Sequence, residues 1–294
     1  MASIDINRTT TISLPGEVSS EILQKVQESS AVMALARKIP LPGLGTTIPI
    51  ITGDPEAGWV GETELKPVKR GTLSTKQMTP YTLSVIVPFS NQFRRDVPAL
   101  YDQLKERLPG ALAKKFDQTV FGAVDAPGSN FDTLKDCTAQ SILTNAYGGL
   151  VAADADIADH DGILNGFVLA PKGKALLLNA TDKNGRPLFI NNVAEGAVPM
   201  ILGAPVRQSK GAYTAETASA DAVVGFAGDW TQAVYGTVED VQIAVADQAS
   251  LKDGENTINL FQQNMFAVRA EIEIGFRCDT TVFNKLTGTA KTGG

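Results

Sequence analysis

The sequence is poor in the residues on which many catalytic and metal sites depend. Its 294 residues include two cysteines, Cys137 and Cys278, and one histidine, His160. Two cysteines are too few for a disulfide framework or a four-thiolate metal site, and a single imidazole excludes any triad or metal cage that needs two. We therefore expect both thiols to be reduced and inert, and His160 to be structural or solvent-exposed.

The common enzyme signatures are also missing. The sequence contains no G-x-S-x-G nucleophile elbow, no G-x-x-x-x-G-K-[ST] phosphate loop and no G-x-G-x-x-G dinucleotide turn. It therefore predicts no catalytic residue, no cofactor and no metal ion.

Long apolar runs are absent as well. No run approaches the roughly 18 residues of a membrane-spanning helix, and the first thirty residues carry charges but no secretory signal. The formal net charge of -6 argues against tight binding of nucleic acid through its phosphates. With 43% hydrophobic and 20% charged residues, the composition is that of a globular chain made in the cytosol, with no membrane partner.

Acidic residues are concentrated in the middle of the chain. Residues 125–250 contain seven Lys and Arg against 15 Asp and Glu, which we interpret as a domain signal. A hard cation favours several oxygens around a glycine turn, but the spacing here matches no EF-hand loop, so a solvated acidic loop is favoured over an ion site. The cluster comprises Asp154, Asp156, Asp159, Asp161 and Gly162.

Local patterns predict an α+β protein. Residues 1–15 form an extended polar arm, 17–30 a short amphipathic helix and 31–40 a strand. Further on we predict a two-stranded excursion over 53–90 whose return leg is 79–87, a helix over 94–124 and a helix over 171–179. The long helix contains Pro109 and Gly110, which predict a bend near 105–109; two abutting helices are the alternative.

The last large element is a strand over 266–279. Apolar and polar residues alternate along it without a break, which is typical of a strand with one apolar face. Its charged residues fit an ordinary solvent-facing surface and a specific subunit contact equally well. These residues are Arg269, Glu271, Glu273 and Arg277.

The order of these elements resembles that of tailed-phage major capsid proteins. Short motifs spaced over almost the whole chain carry the resemblance. They are Ala57-Gly58-Trp59-Val60-Gly61-Glu62 in the hairpin, Val87-Pro88-Phe89-Ser90 before the long helix, Phe116-Asp117 and Phe121-Gly122 at its end, then Leu169-Ala170-Pro171, Gly185-Arg186-Pro187-Leu188, Gly203-Ala204-Pro205-Val206, Gly228-Asp229-Trp230 and the strand at 266–279.

The resemblance implies a Hong Kong 97-like capsid fold. The N-terminal arm and short helix would be residues 1–45, the E-loop 46–90 and the spine helix of the P-domain 91–124. The axial A-domain would be 125–250, and 251–294 would return to the P-domain as a strand and C-terminus.

The resemblance also implies a function: a shell of pentamers and hexamers that encloses the double-stranded DNA of a tailed phage, with the DNA contacted non-specifically. The protein would be assembled in the host cytoplasm with a separate scaffold protein, a portal and maturation partners, and would end in the virion. Candidate contacts between subunits are Trp59, Glu62, Lys66, Lys69 and Arg70 on the E-loop, and Arg269, Glu271, Glu273 and Arg277 on the last strand.

Two alternatives remain. An encapsulin, which encloses an enzyme, shares this fold, but encapsulins usually begin with a helix, whereas residues 1–15 precede the helix here. A soluble hydrolase that uses carboxylates such as Asp154 and Asp161 is the second, although nothing marks a pocket. We predict no autocatalytic cross-link, because Lys66, Lys69 and Lys76 lack matched partners; solubility of the surface explains these lysines.

Overall fold

The structure is a computed structural model that describes residues 16–53, 72–92, 97–182, 184–189, 200–239, 241–254 and 256–289. Its helices are α1 (Gly16–Ser29), α2 (Ala31–Leu35), α3 (Val97–Val120), α4 (Ala146–Asp159) and α5 (Pro171–Asn179). Its strands are β1 (Arg37–Pro40), β2 (Thr46–Gly53), β3 (Thr72–Met78), β4 (Tyr81–Ser90), β5 (Thr138–Ser141), β6 (Gly166–Leu169), β7 (Met200–Ile201), β8 (Ala204–Gln208), β9 (Ala222–Gly228), β10 (Ala233–Thr237), β11 (Gln242–Ala246), β12 (Ser250–Asp253), β13 (Asn256–Asn259), β14 (Met265–Cys278) and β15 (Phe283–Thr289).

Two larger sheets organise these strands. In the first, called the β14 sheet, β14 pairs with β4 along one edge and with β10 and β11 along the other, and β1 extends the sheet beside β10. The second, called the β9 sheet, has six strands in the order β5-β15-β9-β6-β8-β7. Because β15 lies in the β9 sheet and β10 and β11 lie in the β14 sheet, strand pairing links the segments expected to form the A- and P-domains; the domain division itself stays a prediction.

The C-terminal half of α3 holds the two sheets together. Phe116 packs edge-on against Phe276 of β14, with ring centroids 6.2 Å apart. Directly after the helix, Phe121 stacks on Phe226 of β9 at 4.7 Å and meets the Trp230 ring edge-on at 6.4 Å. Aromatic pairs of this kind contribute about 0.5–1.5 kcal/mol beyond the burial of their area, so the end of α3 is an apolar joint between the sheets.

Several sequence predictions are confirmed. The predicted helices over 17–30 and 171–179 are α1 and α5, and the strand over 266–279 is β14. The long helix is α3, a single helix that continues through Pro109 and ends at Val120; residues 94–96 lie outside the described ranges.

The prediction for the return leg of the hairpin is wrong. Among the described residues, the strand that pairs with β2 is β3, whereas residues 81–87 belong to β4, which pairs with β14. The outward leg expected around 58–62 lies outside the described ranges. The alternating apolar residues of β4, from Tyr81 to Val87, pack against the main core instead. An alternation with one apolar face identified a strand correctly, but it does not specify which strand lies beside it.

Two local assignments also need correction. The strand predicted over 31–40 is present only at Arg37–Pro40, since Ser30 caps the short helix α2 and accepts a hydrogen bond from the Met33 amide at 3.1 Å. The acidic loop at 154–162 is largely helix α4, whose apolar residues Leu150, Ala153 and Ile157 are buried at helical spacing.

The cysteines and the histidine behave as expected. Cys137 and Cys278 are unpaired and buried, and burial raises the pKa of the Cys137 thiol to about 12 and that of Cys278 well above its usual value. His160 is exposed at the end of α4, where its Nδ1 lies 2.8 Å from the carbonyl oxygen of Asp156. In the described part of the chain, no helix is long and apolar enough to cross a membrane.

Candidate assembly interface

The charged residues predicted on β14 share one face of the β14 sheet. Side chains alternate along a strand, so odd-numbered positions from 269 to 277 point away from Phe276, whose ring faces α3. This outer face has two parts. One end, around Glu271, is open; the other is covered by the base of the β2–β3 hairpin, where β2 begins and β3 ends.

At the open end, the structure brings Arg269, Glu271 and Glu273 together. The Arg269 guanidinium donates to the Glu271 carboxylate at 3.1 Å, and the two side chains are 50% and 25% exposed. A shallow groove of about 240 Å³ runs beside them, and Glu239 and Gln242 join Glu271 and Glu273 in its lining. A surface ion pair contributes at most about 1 kcal/mol to folding, so these charges are not required by the fold and are available to a neighbouring molecule.

At the covered end, two glycines form a socket for a methionine. Gly275 of β14 lies directly opposite Gly236 of β10, and Met78 at the end of β3 is fully buried against both. A Cβ atom on Gly275 would lie 2.6 Å from the Met78 Cγ, and one on Gly236 would lie 3.1 Å from its Sδ. Glycine at both positions therefore lets β3 approach the sheet closely enough to seat Met78.

Arg277 faces this covered end, so of the two interpretations of the strand's charges the solvent-facing one does not apply to it. Its side chain is 8% exposed. The Nε and Nη2 atoms donate to the carbonyl oxygen of Gln77 at 2.8 and 2.6 Å, Nη2 also donates to the Asn130 Oδ1 at 2.9 Å, and Nη1 donates to the Asp132 Oδ1 at 2.7 Å. A guanidinium is buried at tolerable cost only when it is paired in this way.

Asp132 connects this arginine to a second cation. Its Oδ2 accepts from the Lys76 ammonium at 3.1 Å and from the backbone N–H of Cys278 at 3.2 Å, and Lys76 also donates to the Cys278 carbonyl oxygen at 2.8 Å. Lys76 is therefore a partly buried structural residue, and the assignment of this lysine to surface solubility is wrong. We call Lys76, Asn130, Asp132 and Arg277 the hairpin anchor.

The hairpin anchor and the glycine socket together hold three consecutive residues at the end of β3. Met78 is held by apolar contact, while Lys76 and the Gln77 carbonyl are held by charged groups of β14 and of the loop after α3. Both contacts constrain the base of the β2–β3 hairpin relative to the β14 sheet.

The E-loop residues predicted as contacts fall in the sequence between β2 and β3. Trp59, Glu62, Lys66, Lys69 and Arg70 are outside the described residues, so their contact role stays a prediction.

A second buried charge secures the N-terminal segment. Asp117 on α3 is 1% exposed, and its carboxylate accepts from the hydroxyls of Ser30 at 2.5 Å and Ser209 at 2.6 Å. It also accepts from the backbone N–H groups of Ala31 at 3.1 Å and Val32 at 3.5 Å, at the beginning of α2. Burial raises the pKa of Asp117, and the four donors act in the opposite direction.

The acidic residues of α4 do not form a metal site with other described residues. Across the described ranges, no group of three or more His, Cys, Asp or Glu side chains is placed to hold a metal ion. The described residues present a strongly anchored hairpin and one open, charged sheet face.

The chain is similar in sequence to known proteins over nearly its whole length. Residues 11–280 match the phage capsid family. The chain is 31% identical over 300 residues to the probable major capsid protein gp17 of Mycobacterium phage L5, a match that covers 95% of this chain and 90% of that protein. It is 29% identical over 296 residues to the probable major capsid protein gp17 of Mycobacterium phage D29, with 96% and 92% covered.

A solved structure of a phage protein has a similar fold. A solved structure from Mycobacterium phage Bobi superposes with a TM-score of 0.70 at 18% identity, and the match covers 99% of this chain and 95% of that one.

The glycine socket predicts a local steric effect. Replacing Gly275 with alanine places a methyl group against Met78 and the Thr79 carbonyl, so we expect the free energy of unfolding to fall by about 1–3 kcal/mol in a urea titration of the subunit. Gly43→Ala is the matched control, since no atom lies within 4 Å of its Cβ position. Equal stability of the two variants would refute the close approach.

The hairpin anchor predicts that two arginines on one strand face differ in their contribution to stability. Arg277→Met leaves Asp132 without its guanidinium partner, and we expect a loss of about 3–5 kcal/mol. Arg269→Met removes an exposed pair and should cost less than about 1 kcal/mol. Urea unfolding of both variants checks this difference, which a similar cost for the two would contradict.

Asp117 predicts a pH dependence. Because its pKa is raised above the ordinary value of 3.8, the folded protein holds this proton more tightly than the unfolded chain. The protonated Asp117 stabilises the fold fully below pH 3.8, the pKa of the unfolded chain. This contribution is lost as pH rises through the raised pKa of the folded protein, by about 1.4 kcal/mol for each unit between the two pKa values. Stability measured against pH should therefore fall more steeply in the wild type than in Asp117→Asn over this window; parallel curves would disprove it.

Proposed function

The chain belongs to the phage capsid family and is a major capsid protein of a tailed phage with the Hong Kong 97-like fold, and from that premise we propose that it assembles through pentamers and hexamers into a closed icosahedral shell. In the virion this shell encloses double-stranded DNA, which the capsid protein contacts without sequence preference. The proposal gives the chain a structural role and no catalytic one.

The observation that carries the proposal is the isolation of the β2–β3 ribbon. These two strands form a sheet of their own, and within the described residues neither pairs with another strand. A lone two-stranded ribbon is only marginally stable in water. Arg277 binds the Gln77 carbonyl at the base, but no described strand pairs with the ribbon's two outer edges. A second copy of the chain supplies the missing contact in the proposed shell.

The anchoring of this ribbon supports the same function. The glycine socket and the hairpin anchor, centred on Met78 and Arg277, secure its base to the β14 sheet. A ribbon that is secured at its base and unpaired along its edges is suited to reach a neighbouring subunit in a defined direction. We propose that the E-loop contacts include Trp59, Glu62, Lys66, Lys69 and Arg70, and that Arg269, Glu271 and Glu273 lie on a receiving surface.

The remaining partners follow from assembly of a tailed-phage shell. We propose that subunits assemble in the host cytoplasm around a separate scaffold protein, with a portal and maturation partners. The net charge of -6 is compatible with DNA packed against the shell without tight binding. The encapsulin alternative has less support, because the relatives described above are named as phage major capsid proteins.

Shortening the hairpin tests this function. Gly53 and Thr72 are the last described cross-strand partners, so replacing residues 54–71 with a short Gly-Ser turn should close the β2–β3 ribbon and leave the fold intact. We expect the subunit to keep its unfolding temperature but to form no closed particles, as scored by negative-stain electron microscopy.

A second variant separates the length of the hairpin from its charge. It keeps all residues but replaces Lys66, Lys69 and Arg70 with glutamine. If length alone matters, this variant assembles normally; if the positive charges bind a neighbour, it assembles poorly at moderate salt. Normal shells from the shortened chain would refute the proposed role of the hairpin.

A further inference from the structure

Two exposed apolar patches lie on the β9 sheet and the helix that covers it. The first, called the helix patch, consists of Leu143 just before α4 and of Tyr147, Val151 and Asp154 on the outer side of α4. The second, called the hairpin patch, consists of Met200, Leu202, Pro205 and Arg207 on the β7–β8 hairpin. Neither patch is covered by another described part of the chain.

The rotation of α4 about its axis is determined by its inner side. Gly149 lies so close to the Ser141 carbonyl of β5 that no Cβ atom fits there, and Ala153 and Ile157 are buried along the same side. Tyr147 and Val151 are consequently 55% and 40% exposed on the opposite side. Asp154 continues this stripe by one turn, because residues three and four apart are neighbours on a helix surface.

The hairpin patch is built by strand register and an unusual turn. Met200 and Pro205 are cross-strand partners, so their side chains lie on one face, and Arg207 lies two residues further along that face. The two-residue turn places Leu202 at a φ of 50°, a left-handed conformation that glycine or asparagine normally occupies. The strained conformation places an apolar side chain, 44% exposed, at the tip of the hairpin.

Each patch combines apolar area with one charge, and the two charges are opposite. Asp154 is exposed beside Tyr147 and Val151, and Arg207 is exposed beside Met200 and Pro205. No ion pair with another described residue involves either charge. A surface with apolar contacts and a carboxylate complements a surface with apolar contacts and a guanidinium, which is the arrangement of a specific interface.

The positions of the patches agree with a ring. In the order β5-β15-β9-β6-β8-β7, the helix patch lies over the β5–β15 end, against which α4 packs, and the hairpin patch is at the β7 end. Two different, complementary patches at opposite ends of one sheet suit a head-to-tail contact between copies, and such contacts close into rings when the rotation allows.

We propose that the helix patch of one subunit binds the hairpin patch of the next subunit around each ring, with Asp154 paired to Arg207 across the interface. This inference rests on the proposed shell function and specifies which surfaces of the β9 sheet region form the ring contact. The occupant of each patch is a second copy of this chain.

A charge swap tests the pairing in the full-length chain, expressed under the conditions in which the wild type forms closed particles. Asp154→Arg and Arg207→Asp each place like charges opposite one another, and we expect each to reduce the fraction of subunits in rings or particles at least about tenfold. The double variant restores opposite charges and should assemble to within about threefold of the wild type. Sedimentation and negative-stain electron microscopy measure the assembled fraction.

The matched controls are Asp159→Arg on the same helix and Lys210→Asp near the same hairpin, both exposed positions outside the two patches. Both should assemble normally, and all variants should keep the wild-type unfolding temperature. Normal assembly of both single variants, no rescue in the double variant, or equal loss in the controls would overturn the pairing while leaving the shell function intact. A wild type that forms neither rings nor particles with a scaffold supplied would overturn the shell function, and this inference with it.

Discussion

The need to satisfy one buried carboxylate organises the centre of the molecule. Asp117 lies on α3 between the aromatic contacts to the two larger sheets, and a carboxylate at that depth is tolerated only with several donors. Its donors come from residues 30–32 at the beginning of α2 and from Ser209 after β8, segments that are far apart in sequence. Gly211 allows this approach, because a Cβ atom there would lie 2.8 Å from the Asp117 Cβ. The N-terminal segment, the long helix and the β9 sheet therefore meet at one charge, and their relative positions depend on it.

Regular patterns in the sequence predicted the elements that are long and periodic. The α+β class, helices α1, α3 and α5, and strand β14 follow from apolar spacing, and the order of the elements was sufficient to suggest the capsid fold. Pairing was harder to predict, because the alternation of β4 is satisfied equally by the hairpin partner and by β14. The aspartates of α4 indicated a solvated loop rather than a helix. The helical period is carried instead by the buried residues Leu150, Ala153 and Ile157.

The candidate interface was predictable only in part. Charges on one face of β14 were correctly placed by the two-residue period, but the period cannot tell that one end of that face is covered. Arg277 and Arg269 are equivalent in sequence pattern, and they differ because β3, about 200 residues earlier in the chain, lies over one of them. The one available signal was glycine: Gly236 and Gly275 interrupt otherwise apolar strands, and such interruptions mark places where another segment approaches closely.

The glycine socket also has a mechanical consequence. The ribbon extends from Met78 through a β3 strand of seven residues, paired to a β2 strand of eight, which is a length of about 25 Å. For a ribbon of this length, a rotation of about 5° at the socket moves the far end by about 2 Å. A shift of that size is enough to disrupt side-chain packing between the ribbon and a neighbouring surface. Since every copy of the chain carries the same socket, a rigid seat at Met78 gives all ribbons one angle. The curvature of a closed surface made from these subunits is thus sensitive to two hydrogen atoms, the side chains of Gly236 and Gly275.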